Sequence, residues 1–467
     1  MAVTQQATVT AHLAAYASEI AFAHLPAEVV HAAKRAILDS MGCSIGGSRT
    51  EPGRLLLEFF QEIGGRPEAP VLASGVPLPL LHAAHVNAAL ANVLDVDDAL
   101  ADGHLGATVV PPAVAAAGRC PTRGRDLIAA VTAGYEVSAR IGMAIKPSPE
   151  RFRLVRGLGT FQVFGAASAV GRIIGLGRDA MLSAFGIAGA NAPVPSVYKE
   201  GYDERPMAWV KNNFGWSAEG GVLGVLLAAR GFRGQRSFLD GDRGFWRMAG
   251  SDRCDFEIMA GGLGQTYHLV NNSFKPYTCC RYHHAVLDAV GDIMGAHRLS
   301  ADQVQSVHVR SIWRISEHMN YRPQDVIDAQ FSLPYQVAGK VLGRTDRFDW
   351  MLTTSLSDPD LLRMADRVTY EEDEEHERLF QTVRQCGATV TIRTPRGEFT
   401  ATVPHAWGSP PRPISDADLE RKFVHLAGPV LGDDRARGVA ALVWRLESVG
   451  DVRQALGDIL GWDGTAA

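Results

Sequence analysis

The chain has 467 residues, and its 46 Lys and Arg against 51 Asp and Glu give a formal net charge of -5. The charges are spread without a basic block and no apolar run is long enough to span a bilayer, which argues against nucleic-acid binding and a membrane segment. The six cysteines are too sparse for a disulfide framework or metal cluster, and the N-terminus lacks a signal-peptide pattern. We therefore expect a cytoplasmic protein without a metal or other cofactor.

The first 270 or so residues are predicted to form successive helices. Apolar residues at helical spacing begin at Pro26, in a position that a first helical turn tolerates, and Gly46 and Gly47 end that helix. Small Ala and Gly residues on many apolar faces predict closely packed helices. The further predicted helices cover residues 82–94, 112–118, 126–145, 161–174, 179–188 and 216–229.

Strand patterns are concentrated later in the chain. Residues 304–315 alternate with β-branched side chains, and residues 388–394 and 398–403 flank a Pro-Arg-Gly turn as a hairpin. Helical patterns lie between them at residues 334–342 and 358–364, and the acidic run 371–375 is interpreted as a solvated face. After a Pro-rich linker, helical patterns return at residues 415–427 and 433–446.

These patterns predict a mainly α protein with two domains. An all-helical domain is expected from residues 1–270 and 406–467, and a smaller α+β lid domain from residues 271–405. The pattern Gly157-Leu158-Gly159 does not indicate a dinucleotide site, because Gln162 stands where the third glycine belongs and no strand precedes it.

The first group of candidate site residues follows an apolar helix. Asp95, Asp97 and Asp98 lie at the end of that helix, where the helix dipole disfavours carboxylates, and His104 follows in a loop. A solvated turn is the alternative for Asp97 and Asp98. Asp95 is still in the apolar register, so we expect it to be buried with a partner. Asp95 and His104 are therefore a candidate acid/base pair.

Lys211 is the second candidate. Aromatic residues surround it in the sequence, and it precedes a helix whose free N–H groups favour anions. This pattern indicates a partly desolvated ammonium group that binds an anionic ligand, although a solvent-facing lysine is the simpler alternative.

The third candidate is residues 274–284, which combine cations, imidazoles, thiols and phenols directly before an apolar helix. Arg281 and His284 are three residues apart, so both can face one cavity. Arg281 offers a planar fork for a carboxylate, His284 can transfer a proton near neutral pH, and Lys275 adds a second cation for substrate. The neighbouring His283, Cys279 and Cys280 are assigned structural or supporting roles.

Tyr335 is the last candidate. It lies in the first turn of a helix that Pro334 begins, where its hydroxyl can point into a cleft. Ordinary core packing with an incidental hydrogen bond is the alternative.

These motifs together resemble the MmgE/PrpD family, which includes 2-methylcitrate dehydratase, cis-aconitate decarboxylase and iminodisuccinate epimerase. The resemblance covers residues 10–430 and rests on an ordered set of segments. It implies a homodimer with a metal-free active site in the cleft between a helical domain and a lid. The motif-bearing segments are residues 33–42, 92–98, 165–169, 215–218, 275–284 and 331–335.

The resemblance also implies which side chains line the cleft. The family's site residues carry over to Asp95, His104, Lys211, His284 and Tyr335. Three departures are visible: Ala99 stands where relatives often have Thr or His, residues 157–159 lack a histidine common in relatives, and the alignment of Lys211 needs a one-residue shift. The first departure also includes a spacing to His104 that is one residue shorter.

We accordingly predict a metal-independent lyase that acts on a small di- or tricarboxylate, with dehydration of a 2-methylcitrate-like hydroxy acid as the first choice. Lys211 and Arg281 would hold carboxylates, Asp95 and His104 would exchange protons on one face, and His284 and Tyr335 would act from the lid. Decarboxylation of a cis-aconitate-like acid, epimerisation of an iminodisuccinate-like acid and a catalytically silent carboxylate-binding protein are the alternatives.

Overall fold

In the computed structural model, which describes residues 8–201, 203–209 and 211–460, helices dominate the N-terminal half of the chain. A short ribbon of β1 (Ala69–Pro70) and β2 (Pro77–Leu78) accompanies them. The helices are α1 (Val9–Glu19), α2 (Ala27–Gly47), α3 (Glu51–Ile63), α4 (Leu80–Val93), α5 (Leu105–Arg119), α6 (Gly124–Ala144), α7 (Pro149–Phe152), α8 (Val163–Ile174), α9 (Arg178–Ala190), α10 (Phe214–Ala228), α11 (Phe245–Met248) and α12 (Phe256–Ala260).

Close packing between these helices depends on their small residues. At Gly47, where α2 packs against α4, an added Cβ would lie 2.0 Å from the backbone oxygen of Leu90. Real Cβ atoms do not approach so closely, so only glycine allows this contact. The predicted start of α5 at residue 112 was wrong, because the helix begins at Leu105 and carries Pro111 and Pro112 in its interior.

The second half of the chain contains a four-stranded sheet in the order β4-β3-β5-β6. Its strands are β3 (Ser306–Ser311), β4 (Val368–Glu372), β5 (Ala388–Thr394) and β6 (Gly397–Val403). The helices around it are α13 (His284–Ala296), α14 (Val326–Ala329), α15 (Leu333–Val341), α16 (Trp350–Thr353), α17 (Pro359–Ala365) and α18 (Glu374–Val383).

The sheet combines antiparallel and parallel pairing. The predicted hairpin of β5 and β6 is present, with Ala388 opposite Val403, while β3 pairs in parallel with β4. Strand β3 is shorter than predicted, because residues 313–318 turn into a 3-10 helix. The acidic run is also more structured than expected: its first two residues end β4, and the Asp373 side chain accepts hydrogen bonds from the backbone at the start of α18.

The last three helices in the described part of the chain return to the N-terminal half. These are α19 (Asp416–Leu431), α20 (Asp433–Trp444) and α21 (Val452–Leu460), and α19 packs against α2. In the described ranges, no helix has both the length and the apolar character that crossing a membrane requires.

Among the described residues, buried apolar side chains form two large clusters. One joins the N-terminal helices to the C-terminal ones, and the other lies within residues 277–406. A smaller third cluster contains residues from both parts, including Leu94, Phe331 and Leu426. The observed mainly α architecture confirms the predicted fold class, and the domain boundaries at residues 270 and 406 stay a prediction that these clusters support.

Candidate active site

A cavity of about 740 Å³ lies where the N-terminal helices meet the sheet-containing part of the chain. It is lined by the loop of residues 99–104, the segment around residues 271–282, and residues 383–386 and 404–411. Four of the seven predicted site residues line it (Asp95, His104, Lys275 and Arg281), whereas Lys211, His284 and Tyr335 do not.

Asp95 is the centre of a buried charged cluster. It follows α4 with a φ of 51°, so its carboxylate leaves the helical path. Lys211 Nζ lies 3.1 Å from Oδ1, and Lys275 Nζ lies 3.0 Å from Oδ2. Burial alone would raise the pKa of Asp95, but the two ammonium groups hold this pKa well below its usual range. Asp95 is therefore ionised and holds no proton to donate near neutral pH.

Lys211 contacts Asp95 from within the wall of the cavity. Its Nζ also donates to the side-chain oxygen of Gln330 at 2.7 Å and lies 5.1 Å from the centre of the Phe331 ring. Burial lowers the pKa of Lys211, and Asp95 opposes that shift. In this position Lys211 orients Asp95, and direct contact with a ligand in the cavity would need a rearrangement.

Lys275 connects the two parts of the chain. Its Nζ donates to the backbone oxygen of Asp95 at 2.8 Å, and the side chain is fully buried. A pair of backbone hydrogen bonds between Ala99 and Ser273 brings the two segments together. Burial would lower the pKa of Lys275, but the nearby Asp95 and Asp97 carboxylates raise it above the usual value. Lys275 is therefore cationic.

His104 faces the cavity with a carboxylate behind it. Its Nδ1 lies 3.3 Å from Asp97 Oδ2, and the Asn92 side chain donates to both oxygens of Asp97. Burial alone would raise the pKa of Asp97, but the neighbouring His104 more than offsets this effect. The pKa of Asp97 is therefore lowered overall, and the carboxylate stays ionised. This contact favours a proton on Nδ1 and leaves Nε2 as the nitrogen that can exchange a proton with a ligand.

The other carboxylates and a lysine from the C-terminal helices fix the same loop. Asp98 accepts hydrogen bonds from the Gly106 backbone, Tyr135 and Asn272. Lys422 of α19 donates to Asp39 and to the backbone oxygen of Val96. Asp97 and Asp98 are fully buried, so the solvated-turn alternative was wrong for both.

Arg281 and His284 contact each other, but only Arg281 reaches the cavity. His284 Nε2 donates to the backbone oxygen of Cys279 at 3.2 Å, so Nδ1 is the acceptor for Arg281 Nη1 at 3.1 Å. Burial and the Arg281 charge hold the pKa of His284 well below its usual range. His284 is therefore a neutral, fully buried group that orients Arg281.

The guanidinium group of Arg281 keeps capacity for a ligand. Its hydrogen bonds to His284 and to the Trp407 backbone oxygen both use Nη1. Within the described ranges of the chain, Nε and Nη2 form no hydrogen bond to protein, and together they offer two parallel donors to a carboxylate.

Tyr335 lies in the core of the sheet-containing part. It is fully buried and stacks on Trp350, and its hydroxyl is 3.5 Å from the backbone oxygen of Ser355. Burial raises the pKa of Tyr335 to about 12. Core packing, the alternative that the sequence left open, is the arrangement observed, and the structure does not bring Tyr335 to the cavity.

Two of the departures from the family pattern lie at or beside the cavity wall. An added Cβ on Gly159 would lie 2.3 Å from the backbone oxygen of Asn212, so no larger side chain fits there. Leu158 lines the cavity beside it, and Ala99 lines it opposite the backbone of Ser273. The cavity wall is therefore less polar at these positions than the resemblance predicts.

Several charged lining residues were not predicted as site residues. These are Lys146, Arg156, Arg384 and Asp102. No local sequence motif marks these residues. Arg384, for example, directly follows α18 and reaches the cavity only through the folding of the chain. With these residues, the described lining contains five cationic side chains and two carboxylates, Asp95 and Asp102.

One group of possible metal ligands lies in the site. Ligand atoms of Asp95, Asp97 and His104 fall within 4.8 Å of one another. Each Asp95 oxygen already lies beside an ammonium group, and a divalent cation there would be repelled by both lysines. The donor set therefore suits a proton or an anion better than a metal.

Comparison with known proteins agrees with this fold. The model of the MmgE/PrpD N-terminal domain matches residues 11–257, and that of the MmgE/PrpD C-terminal domain matches residues 277–448. The helical architecture with a small sheet, together with these matches, defines the class: the chain belongs to the MmgE/PrpD family. The resemblance predicted from the sequence is confirmed.

Several proteins to which the chain is similar are named cis-aconitate decarboxylases. A cis-aconitate decarboxylase from Aspergillus terreus is 27% identical over 486 aligned residues, which cover 96% of this chain and 95% of the relative. The human cis-aconitate decarboxylase is 24% identical, with 92% of this chain and 89% of the relative covered. These relatives support lyase chemistry, and they do not specifically support the loss of water.

Proposed function

We propose that this protein is a carboxy-lyase that decarboxylates a small unsaturated tricarboxylate of the cis-aconitate type. The charge of the cavity lining is the main support for this proposal. Five cationic side chains and only two carboxylates line a space that can accommodate a trianion. The names of relatives that align over more than nine-tenths of this chain support the same chemistry. Decarboxylation thus replaces dehydration as the first choice.

The reaction makes two demands on the site. The carboxylate on the methylene carbon leaves as CO2. The electron pair of the broken C–C bond then spreads through the neighbouring double bond to the far carbon of that double bond and to the carboxylate that this carbon carries. A proton must then be added to that far carbon, which gives a dicarboxylate with a terminal methylene group. The site therefore needs cations near the carboxylate that gains charge and an acid near the far carbon.

The observed side chains can meet both demands. Arg281 offers two donors to a substrate carboxylate, and Lys275 adds positive charge from the wall. His104 is assigned as the acid, because its Nδ1 lies 3.3 Å from Asp97 Oδ2 and its Nε2 is left for the substrate carbon. Asp95 neutralises part of the lysine charge, and its low pKa argues against a role as proton donor.

The test is product analysis by NMR. Purified protein incubated with cis-aconitate in D2O should release CO2 and form a dicarboxylate with one deuteron on the new saturated carbon. His104→Gln serves as the matched inactive control. Turnover of 2-methylcitrate or iminodisuccinate without CO2 release from cis-aconitate would contradict the proposal and favour the dehydratase or epimerase alternative. Binding of cis-aconitate without any turnover would favour the silent relative.

Three further properties belong to this proposal. We propose a cytoplasmic homodimer that needs no metal, with the helical part formed by residues 1–270 and 406–467 and the lid by residues 271–405. Light scattering after gel filtration tests the dimer, and retention of activity after dialysis against EDTA tests the metal. A monomer, or activity that EDTA abolishes and a metal restores, would contradict them.

A further inference from the structure

Three arginines surround one aromatic ring beside the cavity. The guanidinium carbons of Arg156, Arg314 and Arg384 lie 4.9, 5.0 and 5.0 Å from the centre of the Phe152 ring. Arg314 is fully buried and pairs with Glu317, whereas Arg156 and Arg384 line the cavity. The two lining arginines therefore present positive charge to any ligand.

Arg384 has hydrogen-bonding capacity that the protein does not use. It directly follows α18 with a φ of 57°, and its guanidinium also lies 4.9 Å from the centre of the Phe380 ring. Its Nε and Nη1 are buried without a hydrogen-bond partner in the described part of the chain. The carboxylate of Asp102 is 3.8 Å from Nε, which is too far for a hydrogen bond. Buried donors without partners are uncommon and call for an acceptor, such as a ligand.

Arg156 is held at the cavity wall by a hydrogen bond to a neighbouring side chain. Its Nη2 donates to the Tyr282 hydroxyl at 3.1 Å, and both residues line the cavity. Lys146 lines the cavity as well, and burial lowers its pKa while the neighbouring Arg384 adds to the effect. Positive charge is therefore concentrated here beyond what Asp102 can offset.

The size of the cavity leaves room for a second anionic group. Its volume of about 740 Å³ is within the range that accommodates drug-sized ligands. A six-carbon acid with one carboxylate at Arg281 does not fill that space. A further carboxylate can therefore lie toward Arg156 and Arg384.

We infer that Arg156 and Arg384 form a second carboxylate-binding subsite, which holds the terminal substrate carboxylate that Arg281 does not bind. Arginine suits this task because its planar fork gives two parallel donors to a carboxylate. The subsite makes the protein prefer tricarboxylates to dicarboxylates of the same carbon skeleton. This inference rests on the proposed function for the identity of the substrate, and binding tests it without turnover.

The experiment compares two unreactive ligands by calorimetry. Tricarballylate is the saturated analogue of cis-aconitate, and 2-methylsuccinate is the same skeleton without one terminal carboxyl group. Arg384→Gln and Arg156→Gln should each weaken tricarballylate binding by about 10- to 100-fold, the loss expected for hydrogen bonds to a charged group. Binding of 2-methylsuccinate should change by less than about threefold, because this ligand leaves the subsite empty.

A neighbouring arginine provides the matched control. Arg378→Gln removes an exposed arginine from the same helix, where it pairs with Glu375, and should leave both affinities unchanged. Arg384→Lys keeps the charge without the fork and should bind tricarballylate with intermediate affinity. Unliganded melting temperatures verify that each variant is folded.

Two results would overturn the subsite. One is tricarballylate binding by both glutamine variants with the affinity of the unmodified protein; the other is an equal loss of affinity for both ligands. Failure of the unmodified protein to prefer tricarballylate counts against it in the same way. If this preference and its loss in Arg384→Gln are observed but cis-aconitate releases no CO2, the proposed function fails and the subsite stands.

Discussion

Lys275 contacts Asp95 at two points, since its Nζ donates to the backbone oxygen at 2.8 Å and lies 3.0 Å from carboxylate Oδ2. The two residues are 180 positions apart in the sequence. Lys211 occupies the other carboxylate oxygen, so one anion faces two cations inside the protein. Removing the Asp95 carboxylate should therefore lower the stability of the protein more than removing an exposed charge does.

Asp95→Asn should strongly destabilise the protein. The substitution leaves Lys211 and Lys275 buried without their counter-ion, and breaking a buried pair in this way costs about 3–5 kcal/mol. Urea denaturation measures the free energy of unfolding. Asp102→Asn is the matched control, since Asp102 is substantially exposed and its loss should cost about 0.5 kcal/mol or less. Equal effects of the two substitutions would contradict the assigned role of Asp95.

The effect of Asp95 on stability should depend on pH. Because the folded protein holds its pKa below the ordinary aspartate value, the ionised group stabilises the fold above that value, and this contribution is lost as the pH falls toward the folded pKa. The difference in unfolding free energy between the unmodified protein and Asp95→Asn should narrow from about pH 5 to about pH 3. Urea titrations across this range check it, and a constant difference would argue against the lowered pKa.

His104→Gln should lower kcat with cis-aconitate by about 10²- to 10⁴-fold, the range for loss of a general acid. Asp97→Asn should cause a smaller loss of about 10- to 100-fold, because the imidazole remains but its charged partner is gone. Initial rates of CO2 release measure both effects. If His104→Gln keeps more than a tenth of the activity, another group supplies the proton.

Tyr335→Phe should leave kcat within about threefold of the unmodified enzyme. The hydroxyl makes only a long contact to Ser355 within the part of the chain that the structure describes, and it does not reach the cavity. Tyr335→Ala should instead cost about 3–5 kcal/mol of stability, because it empties a core position. Steady-state rates and urea denaturation separate these effects. A large rate loss in Tyr335→Phe would support the catalytic role that the family resemblance implies.

Lys422→Met should destabilise the protein by about 3–5 kcal/mol, because Asp39 is then buried without its ammonium partner. Replacing both residues, in Asp39→Leu with Lys422→Met, should cost less than the sum of the single substitutions. A double-mutant cycle in urea measures this coupling. Additive losses would show that the two side chains act independently.

Much of the helical architecture could be predicted from local patterns. Apolar spacing located α2, α6 and α9 to within a few residues, and the alternation of β5 and β6 with a turn between them predicted the hairpin. Strand β4 was missed because its acidic end resembles a solvated segment, and only pairing with β3 makes it a strand. The early start of α5 was missed because Pro112 has the appearance of a first turn.

The site was predictable where its residues share a short motif. Asp95, His104, Lys275 and Arg281 line the cavity as the sequence indicated. Whether a side chain faces the cavity or the interior is decided by packing between distant segments, so the positions of His284 and Tyr335 were not predictable. Arg384 was missed for the same reason, since its approach to Phe152 joins residues far apart in the chain.

The bond from Lys422 to the Val96 backbone has a consequence for biosynthesis. The loop that carries Asp95 and Asp97 is braced by a residue 326 positions later, so the site is incomplete until α19 has been translated and has docked. Until then, Asp39 and the Val96 backbone in the N-terminal part of the chain lack their contacts with Lys422. Ribosome-bound chains that end before residue 422 should lack the completed site. Deletion of the C-terminal helices should likewise abolish activity, although these helices do not line the cavity.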